Sequence, residues 1–205
     1  MIGLKTYIST LSPLLGQTHE MLYERQRMLV RHGLLESVEG RGRGSGVRAD
    51  EKALAAFLIS FMAHDILAHV SVAEVFCEMR FMSSWTTPES QSRAGMSYAG
   101  KCPFTGAKNF RGALEAILGH EPLAKKNSGI ELQRNWPGGA FLKFWRLVRD
   151  GDRVRHEGVT SEFRHKPFLK SPLPVSVMLT QTSLHSQFIE KIAKDIAQFK
   201  KDGAS

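Results

Sequence analysis

Between positions 14 and 35 apolar residues recur at 14, 15, 21, 22, 28, 29, 34 and 35 with charged residues between them, a spacing that keeps one face of an α-helix apolar. Gly16-Gln17-Thr18 interrupts the run, because glycine suits a turn and threonine a helix N-cap. The pattern predicts two helices, over 3–15 and 18–32. The competing reading is one helix over 13–32, capped by Ser12 and opened by Pro13. Gly33 after Arg31-His32 ends the helix in either case, and Leu34-Leu35 then packs back on it. The stretch 39–48, EGRGRGSGVR, places four glycines among Arg41, Arg43 and Arg48, which excludes a helix and reads as a hairpin loop.

Asp50 caps a further helix, almost wholly apolar over 52–62, so it is buried on most sides or lies at a subunit interface. A second helix over 71–82 aligns Val72, Val75, Phe76 and Met79, and together these two helices link the halves of the chain. Residues 83–108 have no sustained periodicity and read as a linker. Beyond them Asn109 caps a short helix over 110–118. Alternation predicts a strand over 130–136, and Pro137-Gly138-Gly139 turns into a second over 140–148. That second segment also satisfies helical spacing; strand is preferred because Asp150-Gly151-Asp152 reads as a hairpin turn into a third strand over 154–163. A fourth is expected over 175–179. A terminal helix from Ser183 carries Phe188, Ile189, Ile192, Ile196 and Phe199 on one face. Short turns cannot join parallel neighbours, so the sheet is antiparallel with helices on one side.

The chain has 205 residues, 42% of them hydrophobic, enough for a core and against dominant disorder. Its 28 Lys and Arg outnumber 20 acids, a net charge of +8 that favours a polyanionic partner, nucleic acid before membrane. Two cysteines, Cys77 and Cys102, are too few for a disulfide-stapled secreted domain and point to the cytoplasm. The N-terminus lacks the pattern of a secretory signal, and the most apolar stretch, 53–63, is half of the roughly 20 residues a membrane helix needs. Between 124 and 170, eleven Lys or Arg face five acids, a net of +6. Interleaved with Trp136, Phe144, Trp145 and Phe163, they form either a stacking platform for single strands or, as we prefer, a half-buried sheet with aromatics inward and cations outward. Catalysis has little to stand on: His64 and His69 lie about 140° apart around a helix, and Gly138-Gly139 lacks the flanking Lys-Ser/Thr of a phosphate loop. We expect no enzyme activity, metal or cofactor.

Helix, turn, basic helix, Leu-Leu, Gly/Arg hairpin and capped helix stand in the order of a winged helix-turn-helix, and the first 60 residues or so resemble that family. The resemblance is carried by Ile8, Leu11, Leu14 and Gly16, by Thr18, Leu22, Arg25, Gln26 and Arg27, by Gly33-Leu34-Leu35, and by the wing at 40–48. Leu-x-x-x-x-Gly-x-Thr-x-x-x-Leu at 11–22 looks like the opening of MerR-type regulators, although the span from Leu22 to Gly33 is about one helical turn longer than theirs. The Gly/Arg wing also resembles small phage and mobile-element regulators of bacteria. This implies an α+β protein with an N-terminal winged helix-turn-helix over 1–65, a linker helix and loop over 66–108, and over 109–205 an α+β dimerisation or effector domain, an antiparallel sheet with flanking helices.

The physics agrees. A helix fits the major groove, and the turn before it can anchor on phosphate. Thr18 with the free amides beside it suits phosphate, while His19, Tyr23, Gln26 and Arg27 occupy the face left once Leu22 and Leu29 are buried. Arg41, Arg43 and Arg48 on the wing can follow the backbone or enter the minor groove. Against dense phosphate contact stand Glu20 and Glu24, which can pair with Arg25 or Arg27. The expected function is a sequence-specific duplex-DNA-binding transcriptional regulator, a homodimer because single modules bury modest surface. The alternatives are a DNA-packaging or recombination accessory factor and a protein-interaction module without DNA binding.

Overall fold

Leu4, Tyr7, Ile8 and Leu11, three and four residues apart, are all buried and form the inner stripe of α1 (Leu4–Leu15). The computed structural model describes residues 2–38, 46–63, 70–87, 100–134, 138–150, 153–164 and 181–203. Pro13 lies inside the last turn of α1, and Gly16 ends the helix in the left-handed conformation (φ 64°), its N–H reaching back to Ser12 O. α2 (His19–Arg31) starts afresh, its first turn capped by Thr18 Oγ1, which accepts from Met21 N at 3.3 Å. The two-helix expectation therefore holds, displaced by one residue at three of its four ends. Gly33 (φ 72°) turns the chain so that Leu34 N bonds Leu29 O at 2.9 Å, and Leu35 is buried.

The chain then makes isolated antiparallel bridges at Val38↔Gly46 and Gly3↔Arg48. α3 (Glu51–Ala63) follows, with Asp50 Oδ1 accepting from Ala53 N at 2.8 Å. Ten of its thirteen residues are buried within this one chain, so its apolar character needs no subunit interface. α4 (Val70–Glu78) ends four residues before the expected boundary, and Arg80–Thr87 is a strand, β1. Residues 83–87, expected in the linker, pair with the later strand Arg153–Arg164 (β4): Phe81 faces Phe163, and Ser84 and Ser161 share a hydroxyl hydrogen bond of 2.9 Å. Sheet pairing overrides a weak local pattern here. At 102–107 the chain folds into a tight turn that buries Cys102 and stacks Phe104 on Phe144 at 4.3 Å.

Asn109 caps α5 (Phe110–Gly119), as expected. α6 (Glu121–Lys126), too short to show a period in sequence, leads into β2 (Asn127–Gln133), which starts and ends three residues earlier than expected. β3 (Gly139–Asp150) and β4 pair from Ala140↔Phe163 to Asp150↔Arg153, the register of the expected hairpin; Gly151 and Asp152 lie outside the described residues. So does the strand expected over 175–179. Ser183, expected to open the terminal helix, instead pairs with Glu131 in β5 (Gln181–His185), and α7 runs from Ser186 to Asp202. The described sheet has five antiparallel strands in the order β1-β4-β3-β2-β5.

One sheet face carries Ile130, Leu132, Leu142, Phe144 and Phe163, all fully buried; α7, with Ile189, Ile192 and Ile196 buried, packs on its β2 and β5 side, while Phe110 of α5 meets Phe163 and Phe104 stacks on Phe144. The mixed helix and antiparallel-sheet class expected from the sequence is what the chain adopts. The apolar core is continuous from α1 to α7, because α3 packs on α4 and α5, and Tyr7 of α1 reaches α7. Tyr7 Oη donates to Asp195 Oδ2 at 2.7 Å, and its ring meets Phe199 edge-on at 5.3 Å.

Candidate nucleic-acid interface

Leu22, Arg25, Gln26 and Leu29 are the buried positions of α2. The outer side carries a row one turn apart, His19, Tyr23, Arg27 and Arg31, of which the two arginines are exposed and the two rings half-buried. The His19 and Tyr23 rings are parallel (2°) with centroids 6.2 Å apart, and Lys5 Nζ from the first turn of α1 lies 4.5 Å from the Tyr23 centroid. Arg27 bonds Glu24 at 2.9 Å, and Arg31 approaches the same carboxylate at 3.9 Å. The Gly3↔Arg48 bridge ties exposed Arg48 to the chain entering α1, so its backbone lies two residues from Lys5. Arg41 and Arg43 lie outside the described residues.

Two sequence expectations change. Gln26 does not join the outer row: four residues after Leu22 and three before Leu29, it falls on the buried stripe, is 7% exposed, and its Oε1 has no partner. Nor are the first amides of α2 free for phosphate. Thr18 Oγ1 takes that of Met21, and the Glu20 carboxylate accepts its own amide and the Thr18 hydroxyl, bonds that hold it below the usual carboxylate range. Arg25 is also internal, donating through Nη1 to Ser60 O at 2.8 Å and Ser60 Oγ at 3.2 Å, which ties α2 to α3. Lys5 and Arg31 are additions. The helical wheel could have found Arg31, whereas Lys5 joins only through the α1–α2 packing.

Four cations of the basic stretch at 124–170 are held in ion pairs. Lys125 pairs with Glu121, Lys143 with Glu131, Arg146 with Glu157 and Arg164 with Glu162. Phe144 and Phe163 are fully buried and Trp145 is 50% exposed, whereas Trp136 lies outside the described residues. Inward aromatics and outward ion pairs favour the half-buried sheet over a single-strand platform. Cys77 is buried, and desolvation pushes its thiol up to about 12. Among the described residues no group of three His, Cys, Asp or Glu could hold a metal, and no helix is long and apolar enough to cross a membrane. His64, Asp65 and His69 lie outside them. No protein-family model, curated protein or solved structure matches the chain.

Proposed function

We propose that the chain is a cytoplasmic, sequence-specific transcription regulator of bacterial or phage type that binds duplex DNA as a homodimer through an N-terminal winged helix-turn-helix. The observation that carries this reading is the outer row His19, Tyr23, Arg27 and Arg31 on a helix that follows another after a three-residue turn, with Lys5 over the Tyr23 ring and Arg48 bridged to Gly3 at the start of the first helix. Tyr23 and Arg27 enter the major groove, and Lys5, Arg31 and Arg48 take the flanking phosphates. Thr18 acts as the helix cap, and His19 supports the Tyr23 ring. Arg41 and Arg43, outside the described residues, are assigned to phosphate from the sequence alone.

Selection from a random duplex library, followed by salt titration, tests it. A two-fold-related motif is expected, with Arg27→Ala costing about 1–3 kcal/mol on that motif and less on random DNA. Lys5→Ala should weaken all duplexes alike and lower the salt slope by about one. Binding without motif enrichment would favour an accessory factor. No binding at all would leave a protein-interaction module, a reading favoured by Trp145, Leu147 and Val154, which are at least half exposed near the far end of β3 and β4.

A further inference from the structure

A cavity of about 270 Å³ opens where the bridged strands, the first turn of α3 and α5 meet. Its apolar wall is Leu35, Val38, Val47 and Ala53, three of them buried. Its cations are Arg48, Lys52 and Arg111, which come from three different elements and converge on one space. Arg111 donates through Nε to Glu115 at 2.9 Å, which leaves its Nη groups available, and Lys52 adjoins the Glu51 carboxylate; Arg48 has no side-chain partner among the described residues. Two carboxylates share the lining. Asp50 is committed through Oδ1 to the Ala53 amide, and Glu36 is exposed, so the uncommitted donors outnumber the uncommitted acceptors.

An apolar wall facing three convergent cations and two carboxylates gives this pocket the mixed lining of a small-ligand site. We propose that it binds a small organic monocarboxylate whose apolar body lies on Val38, Val47 and Ala53 and whose carboxylate is held by Lys52, Arg111 and Arg48. An apolar molecule without the charge would leave the Nη groups of half-buried Arg111 facing it without an acceptor, and inorganic phosphate would leave the apolar wall wet. Both halves of the ligand are therefore required. Arg48 also belongs to the proposed DNA surface, but occupancy of the pocket is measured without DNA, so the two readings can fail separately.

The test is titration of the ¹⁵N-labelled full chain with benzoate and, in parallel, with benzyl alcohol, which has the same ring and no charge. Benzoate should shift the amides of Val47, Lys52 and Ala53 in a saturable way and bind at least about tenfold more tightly than the alcohol, the worth of one charge-assisted hydrogen bond. Lys52→Gln and Arg111→Gln should each weaken benzoate severalfold and leave the alcohol unchanged, with unaltered thermal melts showing both variants folded. Equal binding of alcohol and acid, shifts scattered over unrelated lysines, or wild-type affinity in the folded double variant would each overturn the proposal.

Discussion

Replacing Tyr7 by Phe keeps the ring against Phe199 and removes only the hydroxyl that donates to Asp195 at 2.7 Å. A hydrogen bond to a charged acceptor is worth about 1.5–3 kcal/mol, and Asp195 keeps a second donor, Lys191 Nζ at 2.6 Å. The lower end applies, so Tyr7→Phe should cost about 1–2 kcal/mol near pH 8. Burial, then the Asp195 carboxylate, hold the Tyr7 hydroxyl well above its ordinary range. Above about pH 10 the unfolded chain therefore loses this proton while the folded chain retains it. The folded state then binds more protons than the unfolded one, and stability falls by about 1.4 kcal/mol per pH unit from this group alone. The phenylalanine variant lacks that slope. Urea unfolding followed by circular dichroism should show wild type ahead at pH 8 and the two chains level, or reversed, at pH 11, with equal m-values. A deficit that is absent at pH 8, or unchanged at pH 11, would refute the reasoning about this contact.

Gln26→Leu should leave stability unchanged or raise it by about 1 kcal/mol, because it removes a buried oxygen without a partner, and it should alter DNA affinity less than twofold; a loss matching Arg27→Ala would return Gln26 to the interface. Cys77, buried with its thiol near 12, should resist iodoacetamide at pH 8 until the chain unfolds, and labelling at the rate of a free thiol would mean the helix opens easily. Ile192→Asp places a carboxylate at a fully buried position of α7 and should cost about 4 kcal/mol or more, seen as loss of the folded species in sedimentation velocity and circular dichroism. A folded monomer would instead make this stripe a seam between copies.

The elements legible in sequence were those whose own residues decide them. Thr18 and Asp50 cap as expected, Gly16 and Gly33 stop their helices, and β3 and β4 pair in the register that Asp150-Gly151-Asp152 implies. β1 was hidden because its reasons for being a strand lie far along the chain, in Phe163 and Ser161. α6 has only six residues, less than two turns, and offers no period to count. At the candidate interface, Tyr23 and Arg27 follow from the wheel once Leu22 and Leu29 are placed inside. Gln26 misleads because its polarity suggests the surface while its spacing assigns it to the interior. Lys5 could not be placed at all until α1 packed beside Tyr23.

α3 is walled by α4 and α5 on one side while Arg25 of α2 fastens onto it from another. A helix enclosed in this way cannot be lent out. Swapping residues 1–63 onto a different C-terminal half would strip the cover from a run of alanine, leucine, phenylalanine and isoleucine, and the hybrid would aggregate unless the new half rebuilt that surface. The front of this protein is therefore not an interchangeable cassette: selection on its surface row can proceed freely, whereas any change to α3 must be matched in the helices behind it.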